Sequence, residues 1–497
     1  MIYFKNKYII VSFLPVQNIC KVNKKSKILF VVLFIIAYQS GYCQKKSKKK
    51  TPTEAVATPT KEYYSLEEAF LNRKNVASLN LENQKLQTIP EDIGKLTNLQ
   101  VLKLGYNQIE KLPDSMFKLT NLQKLSLNNN KLNSLQPGIG ALVNLRELKI
   151  QENNIVILPE EIGNLIHLEL LQCNDNQLEQ LPAAIGNCKD LQTLDLFNNR
   201  LKNIPATIEN CSRIRVIDLN WNQLVALPDA ISKLTYLEIL RLEKNNLHKL
   251  PSDLGNLIKV KELLITENQL IELPESIGKL IELKELILTK NKLVSLPESI
   301  GELKNIRILD ASQNQLESVP ESLGKLEKIE EIYLHNNNIK SLAGETFNIP
   351  SLKTINLSLN KIVEFNCIVD KCKSLESIDF ESNNLKVLPN SITYVNTIQI
   401  LNLNKNKLTD IPKSVLSLTE LKQLLVSENE IITLPLNLYQ LSKLEVLDLS
   451  LNRLQIIPLN FNQAASLKQL DLRGNPFYKW HIKQIKEKLK IPELIIE

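Results

Sequence analysis

LKELILTKNKLVSLPESIGELKN, residues 283–305, is the stretch whose reading decides the fold. Its first eight residues alternate Leu or Ile with polar or variable side chains, the period of a short strand with one face buried. An Asn follows at Asn291, then Leu293 and Leu296, then Pro297, and an Ile300-Gly301 pair before Leu303. Sliding the chain past itself in steps of 23 residues lays this pattern on seventeen further units, from residue 76 to residue 489. The ninth position is Gln84 in the first unit. It is then Asn107, Asn130, Asn153, Asn176, Asn199, Asn222, Asn245, Asn268, Asn291, Asn314, Asn337, Asn360, Asn383, Asn406, Asn429, Asn452 and Asn475. Eighteen registers run without a slip.

The spacing has physical consequences. Positions 1, 4, 6, 11, 14, 18 and 21 form apolar columns, about seven side chains per coil that each gain on the order of 1.5–3 kcal/mol when buried. A single 23-residue coil has nothing to bury them against, so the units must stack, and the chain becomes quasi-one-dimensional. Stacked strands lie about 4.8 Å apart, so the expected sheet is parallel, continuous and on the order of 80 Å along its arc. The recurring Asn follows the strand, where the backbone turns inward and loses its ladder partners. A buried amide offers both donors and an acceptor, and an unpaired buried group costs about 1–3 kcal/mol. The Asn column therefore reads as a structural ladder.

Position 15 is Pro in fourteen units, Pro90, Pro113, Pro274 and Pro458 among them. Proline fixes φ and donates no hydrogen bond, so it opens a short helical turn on the side opposite the strands. Gln136, Ala343, Asn366 and His481 replace it, and residues 343–372 form the least regular stretch, where a marked convex surface or a change of curvature is expected. Ser65 with Glu68 three residues later reads as a capping box, opening a helical cap over residues 62–75. The amphipathic segment 480–490 reads as a second cap, within a terminal region spanning 476–497.

These motifs resemble the leucine-rich-repeat superfamily in its LPxxIGxL subclass, shared by Ras-group leucine-rich-repeat scaffolds and many bacterial exported proteins. The resemblance covers residues 76–489, most of the chain. It implies an α/β fold: a curved solenoid, or horseshoe, with a continuous parallel β-sheet on the concave face and short helical or irregular turns on the convex face. It also implies protein binding on the concave face, without naming a partner, because the matching residues are scaffold.

Charge divides the chain. Residues 1–61 carry twelve lysines and one acid, Glu54, which leaves 49 basic and 53 acidic residues for the rest. A nucleic-acid binder concentrates positive charge on its folded body, so no nucleic-acid partner is expected. Lys24, Lys25 and Lys27 precede an apolar run over 28–38 and a small polar exit at 39–44, the build of a secretory signal peptide cut near Cys43 and Gln44. An uncleaved leader, or a lipid on Cys43, is the expected route to a membrane. Residues 1–43 are thus read as leader and 44–61 as a Lys/Thr/Pro linker. The location expected is extracytoplasmic: secreted, periplasmic or cell-surface.

Nothing in the sequence assembles a catalytic centre, and neither cofactor nor metal is expected. The four histidines stand singly in distant coils without an HExxH or paired-Cys motif. The phosphate-loop-like Ile93-Gly94-Lys95 recurs at Ile277-Gly278-Lys279 and is repeat punctuation. Cys173, Cys188, Cys211 and Cys372 occupy core Leu positions. Cys188 and Cys211 hold the same place in neighbouring coils, within disulfide reach in an oxidising compartment.

The side chains free of the repeat's demands are those at positions 3, 5, 7 and 8, which face the concave surface. Phe197 and Trp221 fall in adjacent coils, flanked by Asp195, Asp218, Arg241 and Glu243. Leu264 and Ile287 continue the same column, and Tyr333 and His335 follow three coils after Leu264. Exposed aromatic and Arg residues are the usual interface anchors. The expected partner, a protein or a glycan, contacts coils six to twelve centred on Phe197 and Trp221. An intracellular scaffold regulating a small GTPase is the alternative that the subclass resemblance implies.

Overall fold

Every coil contributes one three-residue strand, and the strands pair in parallel with the register advancing by 23 residues: Leu240 with Leu263, Leu263 with Leu286, Leu286 with Leu309. The computed structural model describes residues 61–388 and 390–496. The leader, its exit at Cys43 and Gln44, and the linker up to residue 60 lie outside the described residues. Leu286 is fully buried between exposed or half-buried Glu285 and Ile287, so the period-two alternation sets inside and outside. The result is the expected α/β solenoid, a twenty-stranded parallel sheet lining its concave side and short turns on the other.

The turns are 3₁₀ segments of three to five residues, such as Glu298–Glu302 after Pro297. Pro297 has φ −69° and ψ 152°, and its carbonyl accepts the Ile300 N–H at 3.1 Å. Where a Gly follows, it packs its turn tightly on the next: a Cβ on Gly278 would lie 2.4 Å from the Ser299 carbonyl oxygen. Only glycine permits that approach.

The Asn column ties coils together. Asn291 donates to the Leu288 carbonyl of its own coil (3.0 Å) and to the Ile265 carbonyl of the preceding one (2.9 Å), and accepts the Leu270 N–H (3.1 Å). The same three-way bridge recurs from Asn107 onward. Gln84, one methylene longer, instead donates to the Tyr64 carbonyl at 2.7 Å.

Coils 12 and 13 lack the 3₁₀ turn. In its place Ser341–Gly344 and Glu364–Cys367 form a separate two-stranded parallel sheet on the convex side. With the Pro-led turn gone, larger side chains fill the interior: Phe365 stacks on Phe347 (6.2 Å between centroids) and meets Phe380 edge-on (5.1 Å). Beside this sheet lies a cleft of about 470 Å³, lined in part by Phe365, Ile368 and Tyr394.

Both ends add something the sequence did not disclose. Ser65 caps the helix Leu66–Leu71 through the Glu68 N–H (3.1 Å), but the Glu68 carboxylate pairs with Lys61 (2.8 Å). Before that helix, Glu62–Tyr63 joins the sheet as an extra strand on the first coil. At the far end the helix Lys479–Lys488 covers the last coil, and Glu493–Ile495 pairs with Gln469–Asp471 as a final strand. An unpaired ladder edge takes up whatever extended chain reaches it. In the Pro position of the last unit, His481 Nε2 accepts the Ile457 N–H at 2.8 Å.

Candidate functional site on the concave face

The register turns the sequence expectation into a physical column. Asp195 lies beside Asp218, Asp218 beside Arg241, Arg241 beside Leu264, and Leu264 beside Ile287. Arg241 Nη1 pairs with Asp218 Oδ2 at 3.1 Å. Asn220 clamps Glu243, donating to its Oε2 (3.0 Å) while accepting its N–H (2.7 Å).

Phe197 and Trp221 do meet: their ring centroids are 6.2 Å apart and the planes inclined at 55°. Trp221 is 47% exposed and has φ 57°, a left-handed conformation shared by the eighth residue of every coil. That geometry lifts the side chain out of the sheet. Lys244 Nζ sits 3.6 Å over the Trp221 ring, a cation–π contact with the next coil.

Asp195 has no cation of its own in this cluster. Burial pushes its carboxyl up to about 6, the Asp218 and Asp175 charges act in the same direction, and the Phe197 N–H (3.2 Å) and the Arg241 charge oppose them. Burial also raises the Glu243 carboxyl. The centre is therefore aromatic, half-desolvated and short of positive charge.

Tyr333 and His335 are not part of it. They stand in coil 12, four strand spacings or about 19 Å from Arg241. Tyr333 donates to Glu331 Oε2 (2.7 Å), and burial raises its hydroxyl. Burial lowers the His335 imidazole, whose Nδ1 has no hydrogen-bond partner. Sequence reasoning missed Lys244, Asn220 and Asp175, which ordinary polar identities conceal. It also missed Asp379, another half-desolvated carboxyl pushed up to about 6.

Cys188 and Cys211 are free, buried thiols. Each Sγ points to a carbonyl of the preceding coil, Cys188 to Ile162 (3.4 Å) and Cys211 to Ile185 (3.3 Å). The thiols follow one another in a common direction along the column rather than facing, and the bond that their spacing suggested is not formed. Among the described residues no three His, Cys, Asp or Glu side chains are grouped to hold a metal ion, and no helix is long and apolar enough to cross a membrane.

A parallel-strand solenoid with an amide ladder defines the class, a leucine-rich-repeat protein. The family described as leucine-rich repeat region matches residues 75–157 and 156–269, leucine rich repeat matches 281–339 and 327–385, and the BspA-type leucine rich repeat region matches 364–468. The solved leucine-rich-repeat protein of Leptospira interrogans is 34% identical over 88% of this chain and 99% of its own, with a TM-score of 0.56. The chain belongs to the leucine-rich-repeat family. The plant peptide hormone receptor RGFR1, in complex with RGF2, is 25% identical over 85% of this chain and 75% of its own (TM-score 0.62). The ectodomain of the Arabidopsis receptor kinase HAESA, in complex with an IDA peptide hormone ligand, is 25% identical over 88% and 85% (TM-score 0.54). Curated protein sequences give no match.

Proposed function

We propose that this protein is an exported, non-enzymatic recognition module that holds a protein partner on the concave face of coils six to twelve, centred on Phe197 and Trp221. The observation that carries the reading is the Phe197–Trp221 pair, partly exposed beside an under-neutralised Asp195. Contiguous exposed apolar surface rimmed by polar residues marks interaction sites, and aromatic anchors in half-desolvated surroundings dominate binding energy. Arg241, Glu243, Leu264 and Ile287 extend the contact along the sheet, with Tyr333 and His335 at its far margin. The solved receptors RGFR1 and HAESA are similar over most of this chain and were captured with peptide ligands, which favours a peptide or protein over a glycan. The basic and apolar leader supports export, and the recurring LPxxIG turn supports the LPxxIGxL subclass.

The test is affinity capture from native envelopes and culture medium with the wild-type chain and a Phe197→Ala/Trp221→Ala variant. Retention of a partner by the wild type and its loss from a variant of unchanged fold supports the reading. Full affinity in the variant removes the proposed centre. Finding the protein in the cytosol with its N-terminus intact removes export.

A further inference from the structure

We infer that the C-terminal cap is a second docking surface, one that lays the end of the solenoid on an anionic phospholipid bilayer. Residues 62–475 hold 44 basic and 50 acidic residues, whereas residues 479–490 hold five lysines and one acid, Glu487. The helix Lys479–Lys488 turns His481 and Ile485 into the core. Lys479, Lys483 and Lys486 recur at i, i+4 and i+7 along one exposed flank, and Lys490 continues it past the helix end. Glu487 lies 3.9 Å from Lys483 within the helix, and the acids Asp471 and Glu430 are engaged by Arg473 (2.5 Å) and Arg453 (3.1 Å), so residues 479–490 keep an excess of four positive charges.

Charge alone would suit any polyanion. The choice of a bilayer comes from what stands beside the lysines. Trp480 is 57% and Tyr478 47% exposed, and their rings stack at 5.9 Å with an 11° tilt. Tyr478 shares its repeat position with Gln455 and Ile432 in the two preceding coils, and its hydroxyl donates to the Gln455 side chain at 2.8 Å. Ile432, Leu436 and Ile456, all on the same stretch of those coils, are more than half exposed. Lysines beside Trp, Tyr and bare aliphatic side chains match a headgroup region, where the rings and aliphatics enter the acyl boundary and the ammonium groups meet phosphate. A nucleic acid or acidic polysaccharide has no use for the Ile and Leu side chains. This surface is distinct from the concave centre and does not depend on what binds there.

Two tryptophans, Trp221 and Trp480, make the test direct. In the full-length chain carrying Trp221→Phe, emission reports Trp480 alone. With phosphatidylcholine vesicles containing phosphatidylglycerol, the expected result is a blue shift and quenching by bromine-labelled acyl chains. Both should be absent with pure phosphatidylcholine and suppressed by high salt. The Lys-rich segment 45–50 is itself cationic, so Trp480 depth rather than vesicle binding decides. The neutral K479Q/K483Q/K486Q variant should lose about a hundredfold in the affinity read from Trp480, and the Lys479→Glu/Lys483→Glu/Lys486→Glu variant more than that, with circular dichroism unchanged in both. Unquenched Trp480 on anionic vesicles overturns the inference. So does equal Trp480 quenching in the glutamine variant, or a Trp480 response to duplex DNA or heparin but not to vesicles.

Discussion

Gly138 lies directly against the ring of Phe117: a Cβ built on Gly138 would sit 2.2 Å from Phe117 Cδ2. The two belong to adjacent coils. Phe117 occupies the position where Gly94 and Gly163 stand in their own coils, and Pro137-Gly138 replaces the usual Pro-led start of the next turn. The departure in the third coil is thus an accommodation of the second. Gly138→Ala should destabilise by roughly 1–3 kcal/mol through overpacking. Phe117→Ala should be costly alone because the ring is buried. The double variant should cost clearly less than the sum, since shortening Phe117 vacates the space that a methyl group at position 138 needs. Additive denaturation energies in the four-way cycle would contradict this.

Position along the solenoid should grade the cost of cutting the amide ladder. Asn245, 4% exposed, holds the Leu219 carbonyl (2.9 Å) and the Leu224 N–H (3.0 Å) of the preceding coil. Asn245→Ala strands both and should cost about 2–5 kcal/mol. Asn475 makes the same bridge between Leu449 and Leu454 but is only partly buried. Water can replace part of it there, and Asn475→Ala should cost under about 2 kcal/mol. Because long repeat arrays open in parts, hydrogen exchange at Leu224 and Leu454 is the measurement to compare. Equal protection losses would refute the grading.

The repeat period, the apolar columns and the role of Asn were legible because each is a property of a single coil repeated in register eighteen times. What was hidden depends on contact between unlike coils. No residue type marks position 8 as left-handed: Trp221, Leu359 and Leu451 adopt φ near 55° although bulky side chains resist it. Their backbones are held from both sides, as where Trp221 N–H donates to Glu243 O (2.8 Å) and Trp221 O accepts from Asn199 N–H (3.1 Å). The same holds for the site. Phe197 and Trp221 could be paired from the period, but Lys244 over the indole could not, because a lysine at an outward position reads as ordinary solvated surface. The end strands Glu62–Tyr63 and Glu493–Ile495 are too short to carry an alternation of their own.

Thiol chemistry should report the core rather than a disulfide. Burial pushes Cys188 and Cys367 up to about 12 and Cys211 and Cys372 up to about 11, and raises Cys173 as well. A thiolate is the reactive form, so these five should resist an aromatic disulfide reagent at neutral pH in the native protein. Unfolding the non-reduced protein should raise the titre by five thiols. A rise of three, with Cys188 and Cys211 recovered in one linked peptide, would mean that the pair oxidises in the protein as isolated.

Asp195 should make both stability and binding depend on pH in a defined direction. Its folded carboxyl, pushed up to about 6, lies above the ordinary carboxylate value, so folding favours the protonated form. The associated stability is fully present below about pH 4 and is lost as pH rises through about 6. Asp195→Asn, which keeps an oxygen to accept the Phe197 N–H, should therefore gain roughly 1–3 kcal/mol at pH 7.5 and almost nothing at pH 4. A cationic group of a partner docked beside Asp195 supplies what the cluster lacks and holds the carboxylate charged. Binding should then release a proton near pH 6, seen as a dependence of the calorimetric enthalpy on buffer ionisation, and affinity should fall on acidification. The same Asp195→Asn substitution should abolish both effects while leaving the Phe197–Trp221 contact in place. A variant that is no more stable at pH 7.5 than at pH 4, relative to wild type, would show that this carboxylate is better solvated than its place beside Phe197 implies.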